Sequence, residues 1–355
     1  MKKLLIIGPY PPLYSYGGPT RSVKGLYETL SLTNNCKVLS PSSHLFGKKV
    51  NSGLDKNNDI VYSDRPILYL IFNLSKGDIV WFNSFFEIKL IFLIIYSKII
   101  NFKIVVSPRG QLSKEAIKTS NSFIKKLFIK AIKIISSKVT FHSTDLNETN
   151  DIYKFYKKNK VYNIKNIFSL NQHPNYIIEH KFVFFSRIHK KKGLDILLDY
   201  LIKTKIDIDL DIYGFIEDKS YWSLCKSKIA VLKSVNYCGS ISDGDISVLK
   251  NKYSFFILPT LNENFGHVIV ELISLGIIPI ISKGTTPFDD LINSKIGLNF
   301  ELTSIKDFNR VFLMMYKLKK HDIESLKRNV EELYKILDNN QEVIKKDYLN
   351  LVEEL

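Results

Sequence analysis

Phe182-Val183-Phe184-Phe185-Ser186-Arg187-Ile188-His189-Lys190-Lys191-Lys192-Gly193-Leu194 reads as a buried strand that runs into a basic loop and then opens a helix. The strand is Phe182–Ile188, the loop His189–Gly193, and the helix Leu194–Ile202. Apolar runs bounded by turn residues follow at Ile208–Tyr213, Val235–Cys238, Phe255–Pro259 and Ile277–Ser282, with helical stretches between them. Strands that alternate with helices and are apolar throughout belong to a parallel sheet covered on both faces.

The same pattern occupies the first half. A strand at Lys3–Gly8 leads through a Gly/Pro-rich loop, Pro9 to Pro19, into a helix whose Val23, Leu26, Tyr27 and Leu30 fall on one face. Further strands are expected at Asp78–Phe82, Lys103–Ser107 and Val139–His142. The polar stretch Asn171–Lys181, with Pro174, reads as a linker. From Leu302 to Leu355 the chain reads as helical throughout. With 355 residues and 45% hydrophobic content, two α/β domains with separate cores are expected. Open parallel sheets bind ligands at the carboxyl ends of their strands, so the loops there carry the functional reading.

Composition narrows the partners. Lys and Arg number 51 against 35 Asp and Glu, a formal charge of +16, which suits phosphorylated ligands, an anionic membrane or nucleic acid. Between Lys114 and Lys138 seven lysines face one glutamate. There Phe123, Leu127, Ile134 and Ile135 recur at near-helical spacing among Lys125, Lys126, Lys130 and Lys133. A basic amphipathic helix of this kind fits an anionic bilayer surface, or a core with a solvated lysine face. Nucleic-acid binding would call for aromatics interleaved on a basic face, whereas these lysines have aliphatic neighbours, so nucleic acid is not an expected partner. The apolar run after Lys2-Lys3 is too short for a secretion signal, and Ile88–Ile100, with Lys89 and Lys98, is too short to span a bilayer. A cytoplasmic protein is expected. Cys36, Cys225 and Cys238 have no metal-ligand or redox spacing and read as free thiols.

Three loops concentrate chemistry. Tyr16-Gly17-Gly18-Pro19-Thr20-Arg21 follows the first strand, and paired glycines before a helix let amides approach an anion. Arg187 at a strand end and Lys192 at a helix start can both address one diphosphate, offsetting charge on a departing nucleotide. In Pro259-Thr260-Leu261-Asn262-Glu263-Asn264-Phe265-Gly266-His267-Val268-Ile269-Val270-Glu271, Glu263 lies in the loop and Gly266 near a helix start. Glu271 sits eight residues beyond Glu263, and a carboxylate there can accept both hydroxyls of a ribose. Two carboxylates could also form an acid and base pair, but the neighbouring cations favour nucleotide-sugar binding over hydrolysis. Asp207, Asp209 and Asp211 share one strand face at its amino end, away from these loops, and Asp243-x-Asp245 reads as an acidic helix start. No metal site is expected.

These motifs, with Ser107-Pro108-Arg109-Gly110-Gln111-Leu112, resemble the group 1 (family 4) glycosyltransferases, and the Arg109 version resembles a branch involved in surface polysaccharides. The resemblance covers most of the chain and is densest over residues 182–290. It implies the GT-B fold: two Rossmann-like domains facing across a cleft. Residues 1–175 would form the acceptor side, joined by a returning helix at 339–355, and residues 176–338 the nucleotide-sugar domain. It implies a retaining, metal-independent transferase without cofactor. The donor would be a UDP- or GDP-sugar. The acceptor would be a saccharide, lipid-linked, at the inner face of the cytoplasmic membrane. By motif, Arg187 and Lys192 would bind the diphosphate, Glu271 the ribose and Glu263 the sugar. Asn264 and the amides of Phe265, Gly266 and His267 would face the donor, as would Gly17 and Gly18. Arg109 stands where many relatives carry a catalytic-cleft histidine and is counted with Glu263, Arg187 and Lys192 among the expected catalytic residues, as a contact for donor or acceptor phosphate; His142 is a second-rank site candidate, equally readable as a buried structural histidine. An epimerase or hydrolase of the same fold, a non-catalytic partner subunit and a basic binding protein are the rival readings.

Overall fold

The computed structural model describes residues 2–13, 16–43, 49–50, 59–118, 121–168, 179–241, 246–293 and 295–355. Most of the expected linker, at 171–178, and the Asp243-x-Asp245 motif lie outside the described residues. The chain divides into two compact units, Met1–Phe168 with Gln341–Leu355, and Ser169–Asn340.

The first unit contains β1 (Lys3–Ile7), α1 (Gly18–Leu30), β2 (Asn35–Ser40), β3 (Ile60–Tyr62), α2 (Pro66–Asn73), β4 (Ile79–Phe82), α3 (Ile88–Ile100), β5 (Lys103–Val106), α4 (Lys114–Lys118), α5 (Ser122–Ile135), β6 (Val139–Ser143), α6 (Leu146–Phe155) and β7 (Val161–Asn163). Its seven strands are parallel, in the order β3-β2-β1-β4-β5-β6-β7. Alternate residues point to opposite faces. Leu5, Ile7, Val80, Phe82, Ile104, Val106 and Phe141 meet α2 to α6 on one side. Leu4, Ile6, Val38, Ile79, Trp81 and Val105 meet α1 and the chain's last residues on the other.

The second unit contains β8 (Lys181–Phe185), α7 (Leu194–Thr204), β9 (Asp209–Tyr213), α8 (Lys219–Ile229), β10 (Val235–Tyr237), β11 (Phe255–Leu258), α9 (His267–Ser274), β12 (Ile278–Ser282), β13 (Leu298–Phe300) and α10 (Ile305–Tyr316). The sheet is parallel, in the order β10-β9-β8-β11-β12-β13. The final helix, α11, runs from Lys320 to Glu353.

Two expectations change here. The tail is not helical throughout: α10 ends at Tyr316, and α11 starts at Lys320. Nor does a separate helix begin at 339. With no Gly or Pro inside it, α11 continues unbroken from the second unit into the first. In α5 the spacing is helical but the face is reversed. Ile129 and Ile132 are buried against the sheet, while Phe123, Leu127 and Ile134 are exposed; of the residues singled out by spacing, Ile135 alone packs on the core. The helix has a second apolar stripe, Phe128-Ile129-Ile132-Ile135, and that stripe completes the core. Cys36 and Cys225 are buried free thiols, and Cys238 is an exposed one.

Candidate functional site

In each sheet the strand order reverses at one point, where the loops after two neighbouring strands leave in opposite directions. Such a switch point is where open α/β sheets bind ligands. In the second unit it lies between β8 and β11, and the loops there hold Arg187, Lys192 and Glu263. The β8–β11 ladder is short, pairing only Phe182 with Phe255 and Val183 with Phe256.

The two loops are joined by backbone contacts. Gly193 has φ +68°, and a Cβ there would stand 1.9 Å from the Pro259 carbonyl oxygen, so glycine alone lets the loops approach this closely. The Lys191 carbonyl accepts from the Leu261 amide (3.0 Å) and the Thr260 hydroxyl (3.1 Å). A third loop props the second: the Glu263 amide donates to the Thr285 carbonyl at 2.7 Å, and Ser282 Oγ donates to the Thr260 carbonyl at 2.6 Å. On this frame Lys192 Nζ and Glu263 form an ion pair. Lys192 closes a short 3-10 turn, Lys190–Lys192, capped by the His189 side chain.

Arg187 has a different partner. Its Nη1 donates to Glu217 Oε2 at 2.7 Å, and Ile216 is bridged to Ile188, which fixes the Glu217 loop beside the Arg187 loop. Both expected cations therefore face carboxylates. Glu217 and Thr285 escaped the sequence reading because each is a lone residue in an unpatterned loop. Gly266 caps α9 in the left-handed conformation, φ +75°, and places the α9 amides at the end of the loop. Phe265 beside it packs edge-on against His267 and Phe288, with ring centroids 4.7 and 6.0 Å away. Glu271, partly buried, lies in α9 beyond His267, and Asn264 lies in the loop before Gly266. Asp209 and Asp211 lie at the other end of the sheet, both facing Lys181.

In the first unit the switch point lies between β1 and β4. Gly17, φ 68°, caps α1, and Gly18 is its first residue. Arg109, in the loop after β5, has φ 56°, a left-handed conformation that costs a non-glycine residue about 1–2 kcal/mol. Its guanidinium spans two asparagines, one after β4 and one after β7: Nη2 donates to Asn83 (2.6 Å) and Nη1 to Asn166 (2.5 Å). Nε is buried without a hydrogen-bond partner among the described residues, and desolvation lowers the guanidinium's pKa. The buried Glu148 holds the loop, accepting from the amides of Gly110 (2.7 Å) and Thr144 (2.8 Å) and from the Thr144 hydroxyl (2.9 Å). Gln111 accepts from the amides of Phe85 and Phe86.

His142 is the structural one of its two readings. It is fully buried, with Nδ1 2.8 Å from Ser107 Oγ and Nε2 2.9 Å from the Ile164 carbonyl and 3.0 Å from the Tyr348 hydroxyl. Trp81 Nε1 donates to the same Ser107 oxygen at 2.8 Å. This network is satisfied by a neutral ring protonated on Nε2. Burial first, and then the Arg109 charge, hold His142 well below the usual imidazole range. No nitrogen is left over for a ligand.

Among the described residues, no group of three or more His, Cys, Asp or Glu side chains forms a metal site, and no helix is long and apolar enough to cross a membrane. Residues 168–336 match the sequence family described as glycosyl transferases group 1. No curated protein sequence matches the chain significantly. Solved structures are similar in fold along the whole chain. Sucrose-phosphate synthase from Thermosynechococcus elongatus is 14% identical with a TM-score of 0.74, covering 100% of this chain and 99% of its own. Anabaena HepE, solved with UDP and glucose, is 14% identical with a TM-score of 0.74 and full coverage of both chains. The catalytic domain of starch synthase IV from Arabidopsis thaliana, bound to ADP and acarbose, is 13% identical with a TM-score of 0.71, covering 99% of each.

Proposed function

We propose that this chain, whose residues 168–336 match the group 1 glycosyl transferases and whose fold is that of GT-B structures, moves a sugar from a UDP- or GDP-linked donor to a saccharide acceptor with retention of configuration. The observation that carries this reading is that the loops after β8 and β11, which hold Arg187, Lys192 and Glu263, leave the second sheet at its switch point, the second of them running into α9. Arg187 and Lys192 hold the diphosphate and stabilise the charge on the departing nucleotide. The amides of Phe265, Gly266 and His267 add donors at the α9 N-terminus, beside the Asn264 side chain. Glu271 accepts the ribose hydroxyls, and Glu263 the hydroxyls of the transferred sugar.

Fixed cations do here what a metal does in other transferases, so we assign no metal and no cofactor. No protein nucleophile is required when the acceptor attacks the face the nucleotide leaves and the departing phosphate takes its proton. Gly17, Gly18 and Arg109 are assigned to ligand binding at the switch point of their own sheet. The acceptor is a lipid-linked saccharide of surface polysaccharide synthesis, met at the cytoplasmic face of the membrane. The charge of +16 and the exposed lysines of α5 make an anionic lipid surface a partner.

Isothermal titration with UDP, GDP and ADP tests the donor site. Binding of UDP or GDP by the wild type, lost in Glu271→Ala and in Arg187→Ala, supports it. Failure of the wild type to bind any of the three at millimolar concentration overturns it.

A further inference from the structure

The helices on one face of the first sheet are more apolar than that sheet requires. α2, Pro66-Ile67-Leu68-Tyr69-Leu70-Ile71-Phe72-Asn73, carries no charge, and Leu70 is its buried residue. α3 buries Leu90, Leu93 and Ile94 and has only Lys89 and Lys98 as charges. A helix that is apolar all round belongs in an interior. Here, however, the outward sides are open, with Phe72 82%, Ile88 79% and Ile99 72% exposed. α5 repeats the pattern, burying Ile129 and Ile132 while Phe123 (73%) and Ile134 (81%) stand in solvent with Leu127.

The three helices form one layer. All contribute to the same core cluster. The Tyr96 hydroxyl of α3 donates to the Ile71 carbonyl of α2 at 3.2 Å, and Phe85 and Phe86, just before α3, pack on Phe128 of α5. Phe123, Leu127 and Ile134 follow one another at i, i+4 and i+11, a single line along the outer side of α5. Exposed Lys126, Lys130 and Lys133 accompany them, and α5 has no acidic residue. Exposed apolar patches of this extent mark interaction surfaces.

We infer that the outer face of α2, α3 and α5 docks reversibly on an anionic lipid bilayer, its apolar side chains entering the headgroup boundary and its lysines meeting lipid phosphates. Charge selects this occupant over a second copy of the chain. Two such faces meeting about a two-fold axis would oppose lysine to lysine, whereas a bilayer with anionic headgroups accepts both the lysines and the apolar residues. This deepens the membrane reading above by extending the contact from one basic helix to a three-helix face, and it does not depend on the donor chemistry.

The test is co-sedimentation of the full chain with vesicles of phosphatidylcholine alone or mixed with phosphatidylglycerol, with UDP titration run on every variant. Wild type is expected to bind the mixed vesicles, more weakly as salt is raised, and not the neutral ones. Lys126→Gln/Lys130→Gln/Lys133→Gln should weaken binding about a hundredfold, and Phe72→Ser/Ile99→Ser/Ile134→Ser about tenfold or more. Unchanged nucleotide affinity in both variants would show that the fold survives. Equal binding to neutral vesicles, binding to neither, or wild-type behaviour of the serine variant overturns the inference. So does a dimer in solution that the serine variant dissociates. Loss of nucleotide binding by the wild type would count against the donor site and leave this surface standing.

Discussion

Lys192 and Glu263, from loops 71 residues apart in sequence, form an ion pair whose side chains are only 11% and 10% exposed. Removing one partner of such a pair strands a buried charge, while replacing both with apolar residues is often neutral. Lys192→Met is therefore expected to destabilise the protein by about 3 kcal/mol in urea unfolding, and Glu263→Leu by a similar amount. The double variant should recover most of that stability yet still fail to bind nucleotide. A double variant that regains binding would remove both residues from the donor site.

Glu217 pairs with Arg187. A bound diphosphate competes with that carboxylate, so Glu217→Gln should tighten nucleotide binding. Both side chains are partly exposed, and a pair of this kind is worth at most about 1 kcal/mol, or a gain of roughly two- to fivefold. Titration calorimetry reads it directly. Weaker binding in the variant would show instead that Glu217 positions Arg187.

Gly193 tolerates no side chain. Gly193→Ala puts a methyl group against the Pro259 carbonyl and imposes a left-handed conformation on alanine, at a cost of about 2–4 kcal/mol. The loop pair should separate, with nucleotide affinity falling more than tenfold. A crystal structure of the variant with Lys192 and Glu263 still paired would contradict this account.

His142 makes stability depend on pH. Its folded pKa lies well below the unfolded value, so the unfolded chain takes up the proton first. The contribution is complete above the unfolded pKa of about 6.5 and is lost as pH falls towards the folded value, with a slope of about 1.4 kcal/mol per pH unit. Unfolding midpoints measured from pH 7.5 to 5 should fall accordingly. His142→Gln, which keeps a donor near the Ile164 carbonyl, should flatten that part of the profile.

The strands legible in the sequence are those with an apolar run and a turn at each end, β1, β4, β5, β6, β8, β9, β11 and β12, together with the three-residue β10, expected at Val235–Cys238. β3, β7 and β13 are three residues each, too short to show a period, and β2 begins with Asn35 and Lys37 on either side of Cys36, which disguises it. The site divides in the same way. Of the candidate site, Arg187, Lys192, Glu263 and Glu271 stand out in the sequence because they lie in the loops after two apolar strands or in the helix that follows. Glu217, Thr285, Asn83, Asn166 and Glu148 arrive from separate loops, and only the tertiary fold brings them to their partners. The outward stripe of α5 was visible as a spacing, but which of its two apolar stripes met the sheet was decided by packing.

The path of α11 has a consequence for how the protein can be taken apart. The second unit is one uninterrupted stretch, Ser169–Asn340, whereas the first is assembled from both ends of the chain. A single cut can never release the first unit whole. Ending the chain at Asn340 would remove Tyr348 from beside His142 and Trp81 and leave a hole where a buried aromatic ring had been. The second unit is removed as one segment, while the first needs its last fifteen residues supplied in trans or spliced back through a linker.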